Sequence, residues 1–417
     1  MDRVVVVLGI IADDLTGATD AASAVLRTGL RVALTFGTPS RQALLDVGDV
    51  DVVVAALKIR NVCPAEAVAA ARATLAAFAD ADVVPVYYKY CSTFDSTPAG
   101  NIGPVADAFL AALGAEAFLH VPGYPDNGRT VYHGHLFVDG VPLHESSMRT
   151  HPLNPMTDAN LTRVLRPQTS AAIGQLRFTE LRHAAGPELR RSTAEHVIAD
   201  TLDNDDIAVL AELVGEHAIA GGGAPMAAAV CARLARGTGS ADLVRDTPPP
   251  AGREVVIAGS ASAATARQIA AFPGPALRLS ATDLADAGVG ERVLDWATSR
   301  WADHPVLIAS DADHTPSAAL PDGRSAAEAV EQGLGRIAAA LVAAGARRIV
   351  VAGGETSGAV ATALGLSGVR IGAEIATGVP WTFTPDGDLA VAFKSGNFGP
   401  DDLFSRAFAL LREPGHD

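Results

Sequence analysis

Two segments of the chain place acidic and hydroxyl side chains directly after a short apolar run. In the first, the run Val4–Ile11 is followed by Asp13, Asp14 and Thr16. Adjacent carboxylates at the end of a strand can hold Mg²⁺ or orient a hydroxyl group for reaction. The spacing alone is equally compatible with Asp14 or Thr16 capping the following helix, although two neighbouring carboxylates exceed what a cap needs.

The second segment, Lys89–Gly103, is dense in hydroxyl groups and carries one cation and one carboxylate near its start. Such a segment suits a polyhydroxylated anion, because Lys89 can pair with a carboxylate or phosphate while Asp95 accepts a proton from an alcohol. Arg60, which follows another apolar run, offers a second fork for a carboxylate. An ordinary polar turn with Ser and Thr caps would explain any two of these residues but not the whole set.

Four histidines follow the polar segment Tyr124–Thr130, namely His133, His135, His144 and His151. Their density raises the hypothesis of a zinc hydrolase. Neither HExxH nor HxxEH occurs in the chain, which argues against such a site. We therefore expect these histidines to lie in a polar loop, with one or two of them lining a cleft, and we leave the metal ligands unassigned.

Three turns rich in small residues follow apolar runs in the last part of the chain. The turns are Ala258–Ser262, Gly353–Gly358 and Phe393–Gly399. Bare backbone amides at a helix N-terminus bind phosphate, and we expect the helix after the second turn to begin near Ala359. Neither the P-loop nor the dinucleotide motif is complete. Together the turns predict one nucleotide site, with Lys394 replacing the missing P-loop lysine.

The elements that position these residues alternate between short β-branched runs and longer alanine-rich stretches, a pattern typical of a parallel α/β fold. The predicted strands are Val4–Ile11, Val52–Leu57, Val83–Tyr88, Val255–Ile257, Val306–Ile308 and Ile349–Val351, and the predicted helices include Ala18–Leu26, Pro64–Phe78 and Ile102–Leu113. The strand runs are continuously apolar, as expected when helices cover both faces of a sheet. Ligands then bind outside the carboxyl ends of the strands.

The pattern breaks near residues 237–254, where Gly and Ser give way to a run of prolines. We therefore predict an α/β protein with two domains, each an open, mostly parallel sheet with flanking helices, and a ligand cleft between them. The N-terminal domain spans residues 1–240, the linker 241–252 and the C-terminal domain 253–417. The segments described above lead us to expect a polyhydroxylated anion in the first domain and a nucleotide in the second.

Composition excludes several classes of protein. The chain has 417 residues with 32 Lys+Arg against 47 Asp+Glu, a net charge of −15 without a basic stripe, which argues against nucleic acid as a partner. Cys63, Cys91 and Cys231 lie far apart, which disfavours a disulfide framework and favours a reducing cytoplasm. The opening run is too short and too quickly acidic for a signal peptide or membrane span. A homo-oligomer remains compatible with these data.

These motifs resemble the four-carbon acid sugar kinases, a family formerly catalogued as a domain of unknown function, and the resemblance runs from end to end. The motifs that carry it are Ala12–Ala18, Asp95–Thr97, Gly100–Gly103, Gly353–Gly358 and Lys394–Gly399. Within the family, the stretches Lys89–Pro104, Asn127–Val138 and His151–Leu161 look most like the 3-oxo-tetronate kinase branch.

The resemblance implies an N-terminal domain that binds an acid sugar and a C-terminal domain that binds the nucleotide. It also implies an ATP-dependent kinase that phosphorylates the C4 hydroxyl of a four-carbon sugar acid such as 3-oxo-tetronate, with Mg²⁺ and glycine amides holding the triphosphate. The catalytic assignments are Asp95 and Asp14. The substrate-binding assignments are Asp13, Asp14, Thr16, Arg60, Lys89, Ser96, Thr97, Asn101 and Arg129. The nucleotide-binding assignments are Ser260, Ser262, Gly353, Gly354, Glu355, Thr356, Gly396 and Asn397.

Three alternatives remain at this point. The first is a D-threonate or D-erythronate 4-kinase of the same family. The second is a metal-dependent hydrolase or aldolase built on the histidine loop, which would bind zinc and no nucleotide. The third is a non-catalytic sensor, which would bind the acid without consuming ATP.

Overall fold

The fold is described from a computed structural model. The described residues are 7–151, 154–183, 194–215, 218–235, 249–301, 304–311 and 319–412. They form two compact units, divided between Leu243 and Val244, which we call the N-terminal unit and the C-terminal unit. Most of the predicted linker, residues 241–248, lies outside the described residues.

The N-terminal unit alternates strands and helices. Its strands are β1 (Val7–Ala12), β2 (Val32–Phe36), β3 (Val52–Ala56), β4 (Val83–Lys89), β5 (Ala117–Val121), β6 (Arg129–Tyr132), β7 (His135–Val138), β8 (Val141–Pro142), β9 (Ile173–Leu176), β10 (His196–Ala199) and β11 (Ala218–Gly222). Its helices are α1 (Leu15–Leu26), α2 (Arg41–Asp46), α3 (Pro64–Asp80), α4 (Ile102–Leu113), α5 (Leu161–Leu165), α6 (Phe178–His183), α7 (Asn204–Leu213) and α8 (Ala224–Leu234).

The main sheet of this unit is parallel, with the strand order β2-β3-β1-β4-β11-β5-β10-β9. Phe78, Phe109 and Phe118 lie fully buried in its hydrophobic core. β6, β7 and β8 form a separate antiparallel sheet. From β1 the chain passes to β2, returns to β3 beside β1, and then crosses to β4 on the other side of β1. The direction of the connections therefore reverses beside β1, and the crevice at the carboxyl ends there is the expected ligand site.

The C-terminal unit repeats the same plan. Its strands are β12 (Arg253–Ala258), β13 (Ala276–Leu279), β14 (Val306–Ser310), β15 (Ala346–Ala352), β16 (Gly368–Ala376), β17 (Val379–Phe383) and β18 (Ala390–Lys394). Its helices are α9 (Ala263–Ala271), α10 (Ala281–Ala285), α11 (Val289–Thr298), α12 (Ala326–Ala343), α13 (Gly354–Ala363) and α14 (Leu403–Leu410). The sheet order is β13-β14-β12-β15-β18-β17-β16; the pairings of β12 to β15 and of β15 with β18 are parallel, and both pairings of β17 are antiparallel.

The predicted fold class is confirmed: both units are α/β, with mostly parallel sheets and flanking helices. The expected start of a helix near Ala359 is wrong, because α13 begins at Gly354. Gly353 has a φ of 124°, a conformation that only glycine adopts readily, so the chain turns within one residue and the helix starts at once. Among the described residues, no helix is both long and apolar enough to cross a membrane.

The turn after β11 provides a test of the fold. Gly222 has a φ of 144°, and a Cβ there would lie 2.0 Å from the carbonyl oxygen of Val121. Gly222→Ala should therefore destabilise the N-terminal unit by about 2 kcal/mol or more, through strain and overlap with backbone. Differential scanning calorimetry should show its midpoint falling by about 4 °C or more.

Gly215→Ala is the matched control, because a Cβ at Gly215 meets nothing within 4 Å. Its midpoint should stay near that of the unaltered protein. Equal midpoints for the two variants would contradict the close packing of the β11 turn.

Candidate active site

The residues after β1 and β3 form a compact charge cluster. Arg60 donates from Nε and Nη2 to the two carboxylate oxygens of Asp13, at 2.7 and 2.6 Å, and from Nη2 to Oδ1 of Asp14 at 2.8 Å. The backbone amides of Ile59 and Arg60 donate to the carbonyl oxygen of Asp13, which fixes the two segments together. The predicted pair of carboxylates and the predicted arginine are thus brought into direct contact.

Asp14 also caps α1. Its Oδ1 accepts the backbone amide of Gly17 at 2.8 Å, and its Oδ2 accepts the hydroxyl of Thr16 at 3.0 Å. The capping hypothesis raised by the sequence is therefore confirmed for Asp14, which also contacts Arg60. The hydroxyl of Thr16 is turned toward the cap.

Burial and nearby charge shift the pKa values of the two carboxylates in opposite directions. Burial raises the pKa of Asp13 above its usual value, and the charge and hydrogen bonds of Arg60 offset only part of that effect. Burial also acts to raise the pKa of Asp14, but the charges of Arg60 and Lys89 and the hydrogen bonds from Gly17 and Thr16 together outweigh it, so the net shift is downward. Asp14 is therefore held ionised and is a poor proton acceptor.

Lys89 ends β4 and points over the first turns of α1. It is buried, donates to the carbonyl oxygen of Tyr90 at 3.0 Å and lies 3.7 Å from Oδ2 of Asp20. Asp20 accepts the hydroxyl of Tyr124 at 3.3 Å, and burial raises the pKa of its carboxyl group. Sequence reasoning missed Asp20, although its position four residues after Thr16 puts it on the same helix face.

The loop after β4 presents Asp95. The hydroxyl of Thr93 donates to Oδ1 of Asp95 at 2.5 Å, while within the described part of the chain Oδ2 has no hydrogen-bond donor. The neighbouring Cys91 thiol has a pKa raised to about 12, chiefly by burial and then by the charge of Asp95, with Arg60 acting against them. Asp95 and Arg60 therefore both lie close enough to influence the same thiol.

Two amides hold this loop in place. The side-chain amide of Asn101 donates to the carbonyl oxygens of Ile59, Arg60 and Val62 at 2.6, 3.2 and 2.9 Å. Its Oδ1 is buried and has no partner among the described residues. Gln168 donates to the hydroxyl of Ser96 at 2.8 Å, a contact across 72 positions of sequence that no local motif indicates.

The remaining predicted ligands of this unit are less tightly joined to the cluster. Thr97 is half-buried in the same loop. Arg129 begins β6 and donates to the carbonyl oxygen of Asn127, and its buried Nε has no partner among the described residues. The backbone of Tyr124 pairs with that of Arg129, so the Tyr124 hydroxyl connects this hairpin to Asp20.

The histidines of the polar loop make local contacts. The amides of His133 and Gly134 donate to the carboxylate of Asp200, at 2.9 Å each. Nδ1 of His135 lies 2.9 Å from the carbonyl oxygen of His133, and His144 lies beside Glu145. No group of three potential metal ligands of the His, Cys, Asp or Glu type occurs in the portion of the chain that the structure describes.

In the C-terminal unit the three small-residue turns meet. A Cβ on Gly259 would lie 2.2 Å from the hydroxyl of Thr356, and one on Gly396 would lie 2.4 Å from the hydroxyl of Ser260. A Cβ on Gly353 would lie 3.2 Å from the backbone nitrogen of Ser260. Glycine is therefore needed for the turns after β12, β15 and β18 to pack this closely, and the convergence expected from sequence is observed.

Hydroxyl groups and one amine converge on the carbonyl oxygen of Gly396. Ser262, Thr265 and Lys394 donate to it at 2.5, 2.9 and 2.7 Å, and Lys394 also donates to Thr265 at 2.9 Å. Ser262 caps α9 as well, accepting the amide of Thr265. The structure thus makes Thr265 part of the site; its only sequence signal is its position three residues after Ser262.

The start of α13 can receive phosphate. Gly354 and Glu355 are exposed in its first turn, and the turn before it has no side chain to obstruct the backbone amides. Asn397 is also exposed, beyond the Gly396 turn. Burial lowers the pKa of Lys394 to about 7, so a phosphate group arriving there would favour its protonated form.

Comparison with protein families assigns a ligand class to each part of the chain. Residues 8–230 match a family model described as a sugar-binding N-terminal domain. Residues 255–404 match one described as a nucleotide-binding C-terminal domain. The chain is thus a two-domain protein of the sugar kinase class.

Relatives that match nearly the whole chain identify the family within this class of protein. The chain is 44% identical over 424 residues to a 3-oxo-tetronate kinase of Cupriavidus necator, covering 97% of each chain, and 42% identical over 421 residues to one of Burkholderia multivorans, with the same coverage. A crystal structure of a Haemophilus influenzae protein superposes with a TM-score of 0.77 at 33% identity, covering 97% of this chain and 100% of that one. The protein belongs to the four-carbon acid sugar kinase family.

Membership confirms the resemblance and the enzyme class inferred from sequence, an ATP-dependent sugar-acid kinase. It also decides against the hydrolase, aldolase and sensor alternatives.

The two functions of Asp14 can be separated by substitution. Asp14→Ser keeps an oxygen that can cap α1 but removes the charge that contacts Arg60. We expect the thermal midpoint to stay within about 3 °C, the change for roughly 1 kcal/mol. The kcat/KM for the sugar acid should fall by more than about tenfold, as when a charged contact is lost.

Ser40→Ala is the control for capping, because Ser40 caps α2 through a bond to the amide of Ala43. It should lower the midpoint slightly and leave kcat/KM unchanged. Full activity in Asp14→Ser would show that Asp14 is a helix cap only.

The lowered pKa of Lys394 predicts that the protein takes up a proton when nucleotide binds. Its amine has a pKa of about 7, so it is largely neutral at about pH 8.5 and becomes protonated beside phosphate. Calorimetry in buffers of different ionisation enthalpy should show uptake rising from near zero at about pH 5.5 toward one proton at about pH 8.5. Lys394→Met should abolish this uptake and weaken nucleotide binding.

Lys58→Met is the matched control, since Lys58 is exposed and lies in the N-terminal unit. It should retain both uptake and affinity. Uptake that persists in Lys394→Met would remove Lys394 from the phosphate site.

Proposed function

We propose that this enzyme transfers the γ-phosphate of ATP to the C4 hydroxyl of 3-oxo-tetronate. The observation that carries this specificity is the similarity over 97% of the chain to relatives named 3-oxo-tetronate kinase. D-Threonate or D-erythronate is the second candidate substrate, because each is a four-carbon acid with the same terminal hydroxyl. The three free cysteines, Cys63, Cys91 and Cys231, support a reducing, cytoplasmic location.

We assign sugar-acid recognition to the carboxyl ends of β1, β3 and β4. Arg60 already donates hydrogen bonds to Asp13 and Asp14. Its main role is therefore to orient these two carboxylates, which accept hydrogen bonds from substrate hydroxyls. Lys89, which contacts the Tyr90 carbonyl, and Arg129, whose Nε has no partner within the described part of the chain, are the cations proposed for the substrate carboxylate. Thr16, Ser96, Thr97 and Asn101 remain proposed substrate contacts.

Asp95 is the proposed group that orients the attacking hydroxyl. Every carboxylate oxygen of Asp13 and Asp14 already accepts a hydrogen bond from this chain, which leaves room for a further hydroxyl donor but disfavours uptake of its proton. In contrast, Oδ2 of Asp95 has no donor among the described residues. Thr93 fixes the plane of the Asp95 carboxylate through Oδ1. We therefore propose that this oxygen accepts the C4 hydroxyl proton as the new P–O bond forms.

In the C-terminal unit, backbone amides and one amine are available to bind the nucleotide. We propose that the turns containing Ser260, Gly353 and Gly396, with the first turn of α13, hold the triphosphate, since their glycines leave room for phosphate beside the backbone. Mg²⁺ on a nucleotide usually takes phosphate oxygens, water and one or two carboxylates. Glu355, exposed in that first turn, is the proposed carboxylate, and the bound ion would neutralise charge on the phosphates.

A coupled ADP-release assay tests the substrate. With ATP held constant, 3-oxo-tetronate should give a kcat/KM at least about tenfold higher than D-threonate or D-erythronate, a difference of roughly 1.4 kcal/mol. The reversed order would replace the proposed substrate with the favoured acid and keep the family. Absence of ADP release with every four-carbon acid would refute the proposed reaction.

Asp95→Asn tests the assigned catalytic group. The substitution keeps the size and the bond from Thr93 but removes the proton acceptor. We expect kcat to fall by about 10²-fold or more while calorimetry shows normal binding of sugar acid and ATP, because the group acts in the transition state. Asp126→Asn is the control, an exposed aspartate of the same unit that accepts from Asn204, and it should remain active.

A fully active Asp95→Asn would show that another carboxylate has this role, with Asp13 and Asp20 the next candidates because burial raises the pKa of both.

A further inference from the structure

A chain of buried polar side chains crosses the core of the N-terminal unit behind the Asp95 loop. Nε2 of His196 lies 2.7 Å from Oδ1 of Asp107, and Nδ1 of His196 lies 2.9 Å from Nε2 of His120. Nδ1 of His120 lies 2.9 Å from the hydroxyl of Tyr90. Apart from the partly exposed Asp107, these side chains are fully buried.

This chain is costly unless each polar group is satisfied, and apolar residues occupy most of the surrounding sheet positions. His120 and His196 lie on the paired strands β5 and β10, where they stack at 5.2 Å between ring centroids. Burial, followed by the influence of His196, depresses the pKa of His120 well below its usual range, which keeps that ring neutral. Two stacked histidines in a core therefore call for a role beyond packing.

The hydrogen-bond donors can be ordered along the chain. The carboxylate of Asp107 accepts from Nε2–H of His196. The neutral ring of His120 carries one N–H. With that hydrogen on Nε2, His120 donates to Nδ1 of His196, and its own Nδ1 accepts the hydroxyl proton of Tyr90. The carbonyl oxygen of Gly221 lies 3.1 Å from the same hydroxyl and competes for that proton. In this order of donors, Nδ1 of His120 is available to accept the Tyr90 hydroxyl proton in place of the Gly221 carbonyl oxygen.

Tyr90 connects this chain to the proposed reactive groups. Its carbonyl oxygen accepts from Lys89, and its amide donates to the carbonyl oxygen of Gly222. Phe94, which precedes Asp95, packs edge-on against Tyr90 and His120, with ring centroids 5.6 and 6.0 Å apart. Phe94 also has a φ of 56°, a strained conformation for a bulky residue that surrounding packing must maintain.

We propose that Asp107, His196 and His120 are positioning residues of the sugar-acid site: their hydrogen-bond chain fixes the Tyr90 hydroxyl and, through Tyr90 and Phe94, holds Lys89 and Asp95 in their working geometry. The proposal rests on the roles assigned above to Lys89 and Asp95. It adds three residues that do not contact substrate.

Asp107 is the best point of intervention, because its side chain is 41% exposed and its replacement should not unfold the unit. Asp107→Leu removes the acceptor and leaves a buried donor of His196 unsatisfied. We expect kcat for the sugar acid to fall about tenfold, with KM for ATP unchanged. Asp107→Asn retains an acceptor oxygen for His196 and should restore kcat to within about twofold of the unaltered enzyme.

Asp80→Leu is the matched control, an exposed aspartate on α3 given the same substitution, and it should leave kcat unchanged. Wild-type kcat in Asp107→Leu would overturn the proposal. An equal loss in the Leu and Asn variants would also overturn it, since the charge of Asp107 would then matter in place of its acceptor. A loss of kcat that merely follows a fall in the thermal midpoint would show that the hydrogen-bond chain contributes to stability alone.

A second measurement needs no substrate and so separates this proposal from the proposed function. Nitrogen-15 spectra of the imidazole rings should show His120 and His196 both protonated at Nε2 in the unaltered protein. In Asp107→Leu, a resonance from Nδ1–H of His120 should appear, as the Tyr90 proton turns to Gly221. Nδ1–H forms in the unaltered protein would overturn the proposed direction of the chain, whatever acid the enzyme phosphorylates.

Discussion

Burial of the parallel strands on both faces is the constraint from which the rest of this structure follows. Every residue of β3, β11, β14 and β18 is buried, so helices cover both sides of each sheet. Charged groups therefore lie mainly at the strand ends and in the loops beyond them. Because all strands of a parallel sheet end at the same edge, residues distant in sequence gather there. Asp13, Arg60 and Lys89 meet in this way.

The two units handle charge differently at these edges. In the N-terminal unit, cations are paired with carboxylates: Arg60 with Asp13 and Asp14, and Lys89 with Asp20. In the C-terminal unit, the amine of Lys394 is bonded to a hydroxyl and a carbonyl oxygen, and burial lowers its pKa. The paired cluster suits a ligand with several hydroxyl groups. The amine without a carboxylate partner among the described contacts suits a highly charged phosphate.

The sequence was sufficient to predict the fold class and most of the local motifs. Continuously apolar runs indicated buried strands, and the residues after them were the ones that the structure brings together, because strand ends are visible locally. Long-range partners were not predictable in the same way. Gln168 reaches Ser96 across the tertiary structure, and His120 meets His196 only because β5 and β10 pair. The start of α13 was missed because its glycines were interpreted as a loop.

Hydrogen–deuterium exchange with one ligand at a time tests the central claim, that the strand ends of the N-terminal unit bind the sugar acid and those of the C-terminal unit bind the nucleotide. A four-carbon acid alone should slow exchange in residues 13–20 and 89–103. A non-hydrolysable ATP analogue alone should slow exchange in residues 259–265, 353–360 and 394–398. Protection of the opposite segments by either ligand, or of neither set, would contradict the account.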